Sequence, residues 1–385
     1  MVQQRSNRVQ PFLDAIDALR PDVEQHRAVI DRDRRLPEAL FRAVAERGLL
    51  RLWLPAALGG PALTPLEFMA VVEAAAGLDG SLGWVIGNGA GMSRVGGYLP
   101  TEVTSGWFAD PLAFVVSSTG AVGRAEPVAG GYRVTGRWPF GSGAHHGTLF
   151  MGLCAEPPSA ATEAPAPFCC YMPASAVTLH DTWFVSGLRG TGSCEFEVTD
   201  LFVPLAHAHP FQPRPTQPDV LYRLPQFSIF PWTVAVVPLG IAAAALRHAV
   251  NLAASKARQG QAQLLREREI VQSDVGQSQA QLRAARAFLV EAMDDLVAKI
   301  ESGDDGLVQA RAAFRLACSH ATDSAVQIVD RLARMVGAVA ILESFPLERC
   351  VRDVHAAAKH IAMSPNNYVV AGRLALGLEP LNGRF

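Results

Sequence analysis

Three textures succeed one another along the chain, and their order constrains the fold more than any single residue does. Through residues 9–99 apolar side chains recur at helical spacing, as in Leu13, Ile16, Leu19 and Val23, and again in Leu40, Val44 and Leu49. Pro37 stands at a helix start, Gly48 at a helix end, and Ser81 is placed to cap a helix around Trp84. From about 111 to 204 the chain breaks into short β-rich runs punctuated by Gly and Pro: 113–117, 131–135, 149–154, 168–172, 177–180 and 194–198. Helical periodicity then returns from about residue 239 to the end, in roughly four long segments. A chain of 385 residues can bury more than one core. The pattern predicts an α+β protein: an all-helical domain over 1–109, a small β-barrel or sheet domain over 110–208, and a C-terminal four-helix bundle over 209–385.

Within the β-rich part, residues 130–146 carry the densest chemistry. Gly130-Gly131 opens a short strand, and Gly136 offers a second point of reversal, so a hairpin delivering Trp138, Phe140 and Ser142 together is predicted. Gly141 and Gly143 flank Ser142 closely enough to admit a flat ligand to the backbone. The serine adds a hydroxyl that can donate and accept, a combination suited to an isoalloxazine ring. The competing reading is a plain surface turn beside ordinary core aromatics.

Charge narrows the partners. With 34 basic and 36 acidic residues the net charge is −2, which gives no footprint for nucleic acid or an anionic membrane. The uncharged run 224–246 approaches bilayer-spanning length, but Pro225, Pro231 and Pro238 interrupt it, so it reads as a loop feeding a buried helix. The six cysteines form no Cys-x-x-Cys pair and no zinc spacing, so reduced, buried thiols and no metal site are predicted. The polar N-terminus lacks the apolar core of a secretory signal, and a cytoplasmic location follows as the expectation.

Helical domain, β domain and bundle, in that order, resemble the acyl-CoA dehydrogenase superfamily, and three segments carry the likeness. Residues 136–143 are similar to the strand over the flavin, with Ser142 at the position of the Thr or Ser that hydrogen-bonds N5 and Phe140 near the aromatic beside the ring. Gly187-Leu188-Arg189-Gly190-Thr191-Gly192-Ser193, followed by Val203-Pro204, looks like the signature closing the β domain. Residues 347–360, then Pro365, Tyr368, Gly372, Leu376 and Gly377, resemble the final helix. The resemblance implies a flavin held by Trp138, Phe140, Ser142, Gly143, Arg189, Thr191 and Ser193, and a homotetramer.

A dehydrogenase of this superfamily needs a carboxylate to take the α-proton while hydride leaves for the flavin. At the usual place of that glutamate stands His360-Ile361-Ala362-Met363-Ser364, and at the second known place a gapless matching puts Phe230, with no acidic residue between Asp219 and Leu246. What remains is Arg-Asp-x-His-x-x-x-x-His, ending on His355 and His360 in one helix. This resembles the two-component monooxygenases, whose oxygenase takes reduced FMN or FAD from a partner reductase and adds oxygen at C4a. The resemblance makes Ser142 the N5 partner and His360 the acid or base, and lines the substrate pocket with Trp84, Met92, His146, Phe230 and His355. A substrate-contacting histidine found in many hydroxylases after the Gly-Trp of the first domain is absent from 88–94, so heteroatom oxidation stays open beside hydroxylation. So does FMN beside FAD, because Arg258-Gln259-Gly260-Gln261 stands where an Arg-x-x-Phe grip on FAD is expected. A dehydrogenase with an unusual base and a non-catalytic flavin-fold scaffold are the alternatives; a small, largely hydrophobic substrate is the expectation.

Overall fold

A computed structural model describes residues 7–158, 165–257, 260, 262–303 and 306–380, with side chains described throughout except at 227 and 229–234. The segment 258–261, where an FAD grip was sought, therefore lies mostly outside the described residues, and so does the side chain of Phe230. The chain forms two compact units: residues 1–68, 84–184 and 189–226 make the first, and 69–83, 185–188 and 227–385 the second.

The first unit begins with helices α1 (Gln10–Ala18), α2 (Arg20–Asp33) and α3 (Glu38–Glu46). The spaced apolar residues read from the sequence, from Leu13 to Leu49, are all buried. Part of α4 (Pro65–Ala76) follows, stacking Phe68 on Trp53 at 4.0 Å, and then part of α5 (Gly80–Met92) and α6 (Thr101–Trp107). Asp79, not Ser81, caps α5: its Oδ1 accepts from the backbone N–H of Ser81 at 2.9 Å and of Leu82 at 3.1 Å. The helix starts two residues earlier than the serine reading requires, so the acceptor must come from 79.

Seven strands make one mixed sheet: β1 (Val115–Val128), β2 (Gly131–Gly141), β3 (Leu149–Ala155), β4 (Phe168–Pro173), β5 (Thr178–His180), β6 (Cys194–Pro204) and β7 (Ala208–Pro210). Their spatial order is β5-β6-β2-β1-β3-β4-β7, antiparallel except for the β1–β3 pair. The hairpin turn is not at Gly136. Val128 pairs with Gly131, so the chain reverses at Ala129-Gly130, where Gly130 has φ 82°, and β2 runs on through 136. At 136 a Cβ would fall 2.6 Å from the Trp138 indole, so this glycine makes room for that ring instead of turning the chain. A short helix α7 (Val220–Arg223) closes the unit.

In the second unit α8 (Gln226–Ser255) runs straight through Pro231 and Pro238, overturning the loop expected there. Its stretch from Ala235 is long and apolar enough to cross a bilayer by length and composition, yet Val236, Val237, Leu239, Ile241, Ala242 and Ala245 are buried as core. Two long helices, α9 (Glu269–Ser302) and α10 (Leu307–Val336), pack along each other. Helix α10 buries Phe314, Ala317, Cys318, Ala321, Ala325, Ile328 and Leu332 on one stripe, each large side chain contributing about 1.5–3 kcal/mol. The last bundle segment is broken in two, α11 (Leu347–Ala357) and α12 (Asn366–Ala375). All six cysteines are buried thiols, and burial holds Cys169 up at about 12.

Candidate active site

The chemistry of the first unit starts with an irregularity in β2. Trp138 pairs with Phe196 and Gly141 with Cys194, so two intervening residues on β2 face one on β6, which is a bulge. Phe140 takes the strain, with φ at 63° in the left-handed region. Trp138 and Phe140 therefore leave the strand on different sides. Trp138 is fully buried, stacks on Phe196 at 5.3 Å and donates its indole N–H to the Leu153 carbonyl at 2.9 Å. It is sheet core, which corrects its assignment to the flavin. Phe140 stands 66% exposed, with Trp183 edge-on at 6.3 Å.

Arg34 fixes the segment that carries Trp183. It is itself left-handed at φ 54°, and its guanidinium forks onto both Asp181 oxygens at 2.8 Å, reaches the Trp183 carbonyl at 3.1 Å, and lies 3.9 Å over the Phe184 ring. A bidentate pair is geometrically specific, so the aromatic ledge of Phe140 and Trp183 is held from the helical part of the unit.

Beside that ledge runs a line of hydroxyls. Trp84 donates its indole N–H to Ser142 Oγ at 3.0 Å, Ser142 Oγ is 2.9 Å from Ser193 Oγ, and Ser193 Oγ is 2.7 Å from Thr191 Oγ1. The Gly143 N–H donates to the Thr191 carbonyl at 2.7 Å and locks the two loops together. Ser142 is half-buried, but Thr191 and Ser193 are buried, so they stand behind Ser142 instead of touching a ligand. Gly143, at φ 76°, is also buried, and a Cβ there would fall 2.6 Å from the Phe114 ring; the room expected for a ligand serves the chain's own packing. Arg189 Nε donates to the Asp31 carbonyl at 3.0 Å.

The relay defines what Ser142 can bind. With its proton directed to Ser193, one Ser142 lone pair takes the Trp84 N–H and the other suits an incoming N–H donor. Reduced flavin carries such a donor at N5, and its apolar ring plane matches the exposed Phe140 face. The residues present fit a reduced flavin.

Trp84 and Met92 lie on α5 as buried residues, Trp84 committed to Ser142. His146 does not line a pocket: it stacks flat on Phe41 at 4.1 Å, its Nε2 bonds the Leu36 carbonyl at 2.9 Å, and its Nδ1 is 3.4 Å from Glu38. Burial holds it below the ordinary imidazole range. Its neighbour His145 is exposed, 3.3 Å from Arg35 and 3.5 Å from the Cys194 sulfur.

In the second unit, His355 is on an exposed face of α11, paired with Asp330 at 2.9 Å, which corrects its placement in a substrate pocket. His360 is not in the same helix. Helix α11 ends at Ala357, and His360 caps the following 3-10 turn, accepting the Ala362 N–H on Nδ1 at 3.2 Å. That bond puts the imidazole proton on Nε2. Burial first, then the Arg315 charge, push its pKa down to about 4, so the ring is neutral at pH 7.

A buried charged group escaped the sequence reading. Asp79 Oδ2 accepts from Arg349 at 2.6 Å, and Asp353 Oδ1 accepts the backbone N–H of Leu188 at 2.6 Å, with Leu188 left-handed at φ 51°. Burial, then the Asp79 charge, raise Asp353 to about 7. The Arg349…Asp353 spacing on one helix face was the available signal; Asp79, 270 residues away, was not readable as their partner.

Residues 14–97 match the acyl-CoA dehydrogenase N-terminal domain and residues 232–365 its C-terminal domain. The indole-3-acetate monooxygenase of Pseudomonas putida is 29% identical over 92% of this chain and 90% of its own length. The oxygenase subunit HsaA of a flavin-dependent monooxygenase from Mycobacterium tuberculosis is 28% identical over 98% of both. Among solved structures, XiaF from a Streptomyces species in complex with FADH2 superposes with a TM-score of 0.90 at 25% identity, covering 97% of each chain. The chain belongs to the acyl-CoA dehydrogenase family and, within it, is a flavin-dependent oxidoreductase of the kind that serves as oxygenase component in two-component monooxygenases.

Proposed function

We propose that this oxygenase works on a small, largely apolar aromatic molecule, with Ser142 and Phe140 holding the flavin and His360 serving the proton transfer. The observation that carries the reading is the hydroxyl relay ending at Ser142 beside the exposed Phe140 ring. Reduced FMN or FAD, arriving by diffusion from a separate reductase, supplies two electrons to dioxygen, so that one oxygen atom goes to substrate and the other to water. Phe140 would give a bound ring a platform, and the Ser142 oxygen, held by Trp84, would accept from its N5–H. Trp84 and Met92 present the apolar side of the substrate pocket. His360 is neutral at physiological pH and carries its proton on Nε2.

Six thiols without a disulfide suit the cytoplasm, where a reductase maintains reduced flavin. A homotetramer is supported by apolar side chains left open on the second unit, Ile341 at 76%, Ile361 at 83% and Leu376 at 78% exposure, which a second copy would cover. Sedimentation is expected to find a tetramer; a monomer at micromolar concentration removes that part.

The test uses chemically reduced FMN or FAD, ¹⁸O₂ and, given the relative that acts on it, indole-3-acetate within a panel of small aromatics. One labelled oxygen per product is expected. Bleaching of bound oxidised FAD by an acyl-CoA, without label transfer, would favour a dehydrogenase instead. His360→Ala is expected to lower product per oxygen consumed at least fivefold, with His360→Gln recovering part of it through a retained donor. Because the wild-type ring is neutral well above pH 4, coupling is expected to be flat from pH 6 to 8 as far as this residue is concerned. Unchanged coupling in His360→Ala excludes it from the chemistry.

A further inference from the structure

Helix α2 ends on an arginine in a backbone conformation that suits glycine. Arg34 stands at its C-cap with φ 54° and ψ 31°, the left-handed region, where a Cβ is disfavoured and glycine or asparagine is the usual choice. A residue held there against its own preference is over-determined by its surroundings, and such positions cluster at functional sites.

The turn that this conformation makes, residues 31–36, touches three segments around Ser142. The Asp31 carbonyl accepts from Arg189 Nε at 3.0 Å, and Arg35 forms an isolated antiparallel bridge with Thr191, the far end of the hydroxyl line. The Leu36 carbonyl bonds His146 Nε2 at 2.9 Å, four residues past Ser142. A Cβ at Gly192 would come 3.2 Å from the Arg34 carbonyl, so the signature loop lies directly against the turn.

The Arg34 guanidinium adds a fourth segment. Residues 181–184, between β5 and β6, have no regular secondary structure, and the guanidinium meets them at the Asp181 carboxylate, the Trp183 carbonyl and the Phe184 ring, at 2.8, 3.1 and 3.9 Å. The Asp181 side chain is 57% exposed, so the charge pair by itself adds little to stability. Its effect is on order. A planar fork bonded on its edge and stacked on a ring permits one arrangement of 181–184, and so one position of Trp183 beside Phe140.

We propose that Arg34 is a positioning residue for flavin capture: it sets Trp183 against Phe140 in advance, so that a flavin delivered by diffusion meets a formed platform. Ordering two aromatic side chains beforehand removes that entropy from the binding step, which is worth about tenfold in affinity. The inference rests on Ser142 and Phe140 as the flavin site, and it concerns binding, which is measured without oxygen or substrate.

Chemically reduced FMN and FAD are titrated anaerobically by calorimetry into full-length wild type, Arg34→Asn, Arg34→Lys, Asp181→Ala and Phe140→Ala, and each protein is unfolded in urea. Asparagine tolerates the left-handed turn but lacks the guanidinium. Arg34→Asn is therefore expected to keep the urea midpoint within about 0.3 M of wild type while weakening flavin binding about tenfold. Arg34→Lys keeps the charge without the fork and is expected to fall between. Asp181→Ala is expected to weaken binding about threefold, with no further loss when it is combined with Arg34→Asn, because both act through one latch. Unchanged affinity in Arg34→Asn, full additivity of the pair, or a loss of affinity matched by a collapse of the urea midpoint overturns the proposal. If Arg34→Asn does not fold, Asp181→Ala decides by its affinity and midpoint. An effect of Phe140→Ala with none of Arg34→Asn discards Arg34 and keeps the flavin site. No effect of Phe140→Ala, or no binding of either flavin to wild type, discards the flavin site and the proposal with it.

Discussion

Replacing Ser142 with alanine is expected to raise the peroxide released per oxygen consumed at least tenfold, with little loss of fold. The hydroxyl is the one member of the Thr191–Ser193–Ser142 line that is open enough to meet a ligand, and it is the acceptor of the Trp84 N–H. On the proposed reading, deleting it removes the acceptor for flavin N5, and an interaction of about 1.4 kcal/mol or more at the reacting ring corresponds to a tenfold change in rate. Folding stability is expected to fall by only about 1–2 kcal/mol, because one half-buried hydroxyl is lost. Ser142→Thr keeps the oxygen and is expected to restore coupling. Trp84→Phe keeps the hydroxyl but releases its orientation and should give an intermediate value. Peroxide yield equal to wild type in Ser142→Ala would remove this residue from the mechanism.

The largest effect on stability is expected at Arg349. Its guanidinium sits 2.6 Å from Asp79, both side chains almost wholly buried, and Asp79 in turn holds the first turn of α5. Arg349→Met leaves Asp79 and Asp353 buried without that cation, a change that costs about 3–5 kcal/mol. Urea unfolding should show a correspondingly lower midpoint; a loss below about 1 kcal/mol would mean that other groups neutralise the cluster.

Asp353→Asn is expected to act differently, through pH. The native carboxyl is raised to about 7, so between roughly pH 4 and 7 the folded protein holds a proton that the unfolded chain has released. Stability therefore falls as pH rises through that window, by up to about 1.4 kcal/mol per unit from this group. The asparagine retains an oxygen for the Leu188 N–H and carries no charge, so the same series from pH 5 to 7 should flatten. An unchanged slope would place the titration elsewhere.

The particular residues show where local reading succeeds. Leu13, Ile16, Leu19 and Val23 repeat at three and four, and burying that stripe is the only way such a segment lowers its free energy, so α1 and α2 were readable. The strand starts at 131, 149, 168 and 194 were readable from alternation and turn residues. The Gly-Leu-Arg-Gly-Thr-Gly-Ser loop was found as a motif, but its hydroxyls prove to support Ser142 from behind. Trp138 and Phe140 share parity and were expected on one wall, yet a bulge that exists only because β6 is one residue shorter across from them sends one into the core and the other outward. His355 and His360 fit one helical pattern, but α11 stops at Ala357 and the turn after it re-aims the second imidazole. The prolines at 231 and 238 read as helix breakers, whereas α8 carries them within a buried helix.

By itself, then, the amino-acid order determined most of the helices and strands and which of their faces are apolar, while the serine loop in the middle of the chain was read through a family resemblance. The first two properties are set by neighbours two to four residues apart, and periodicity records them directly. The tertiary structure alone decided that Trp84 braces Ser142, that Asp79 shares a cluster with Arg349 and Asp353, and that Arg94 is buried against Gln226. Each of those depends on groups 58 to 270 residues apart meeting in a medium of low dielectric, where one hydrogen bond or charge is decisive and no local spacing announces it.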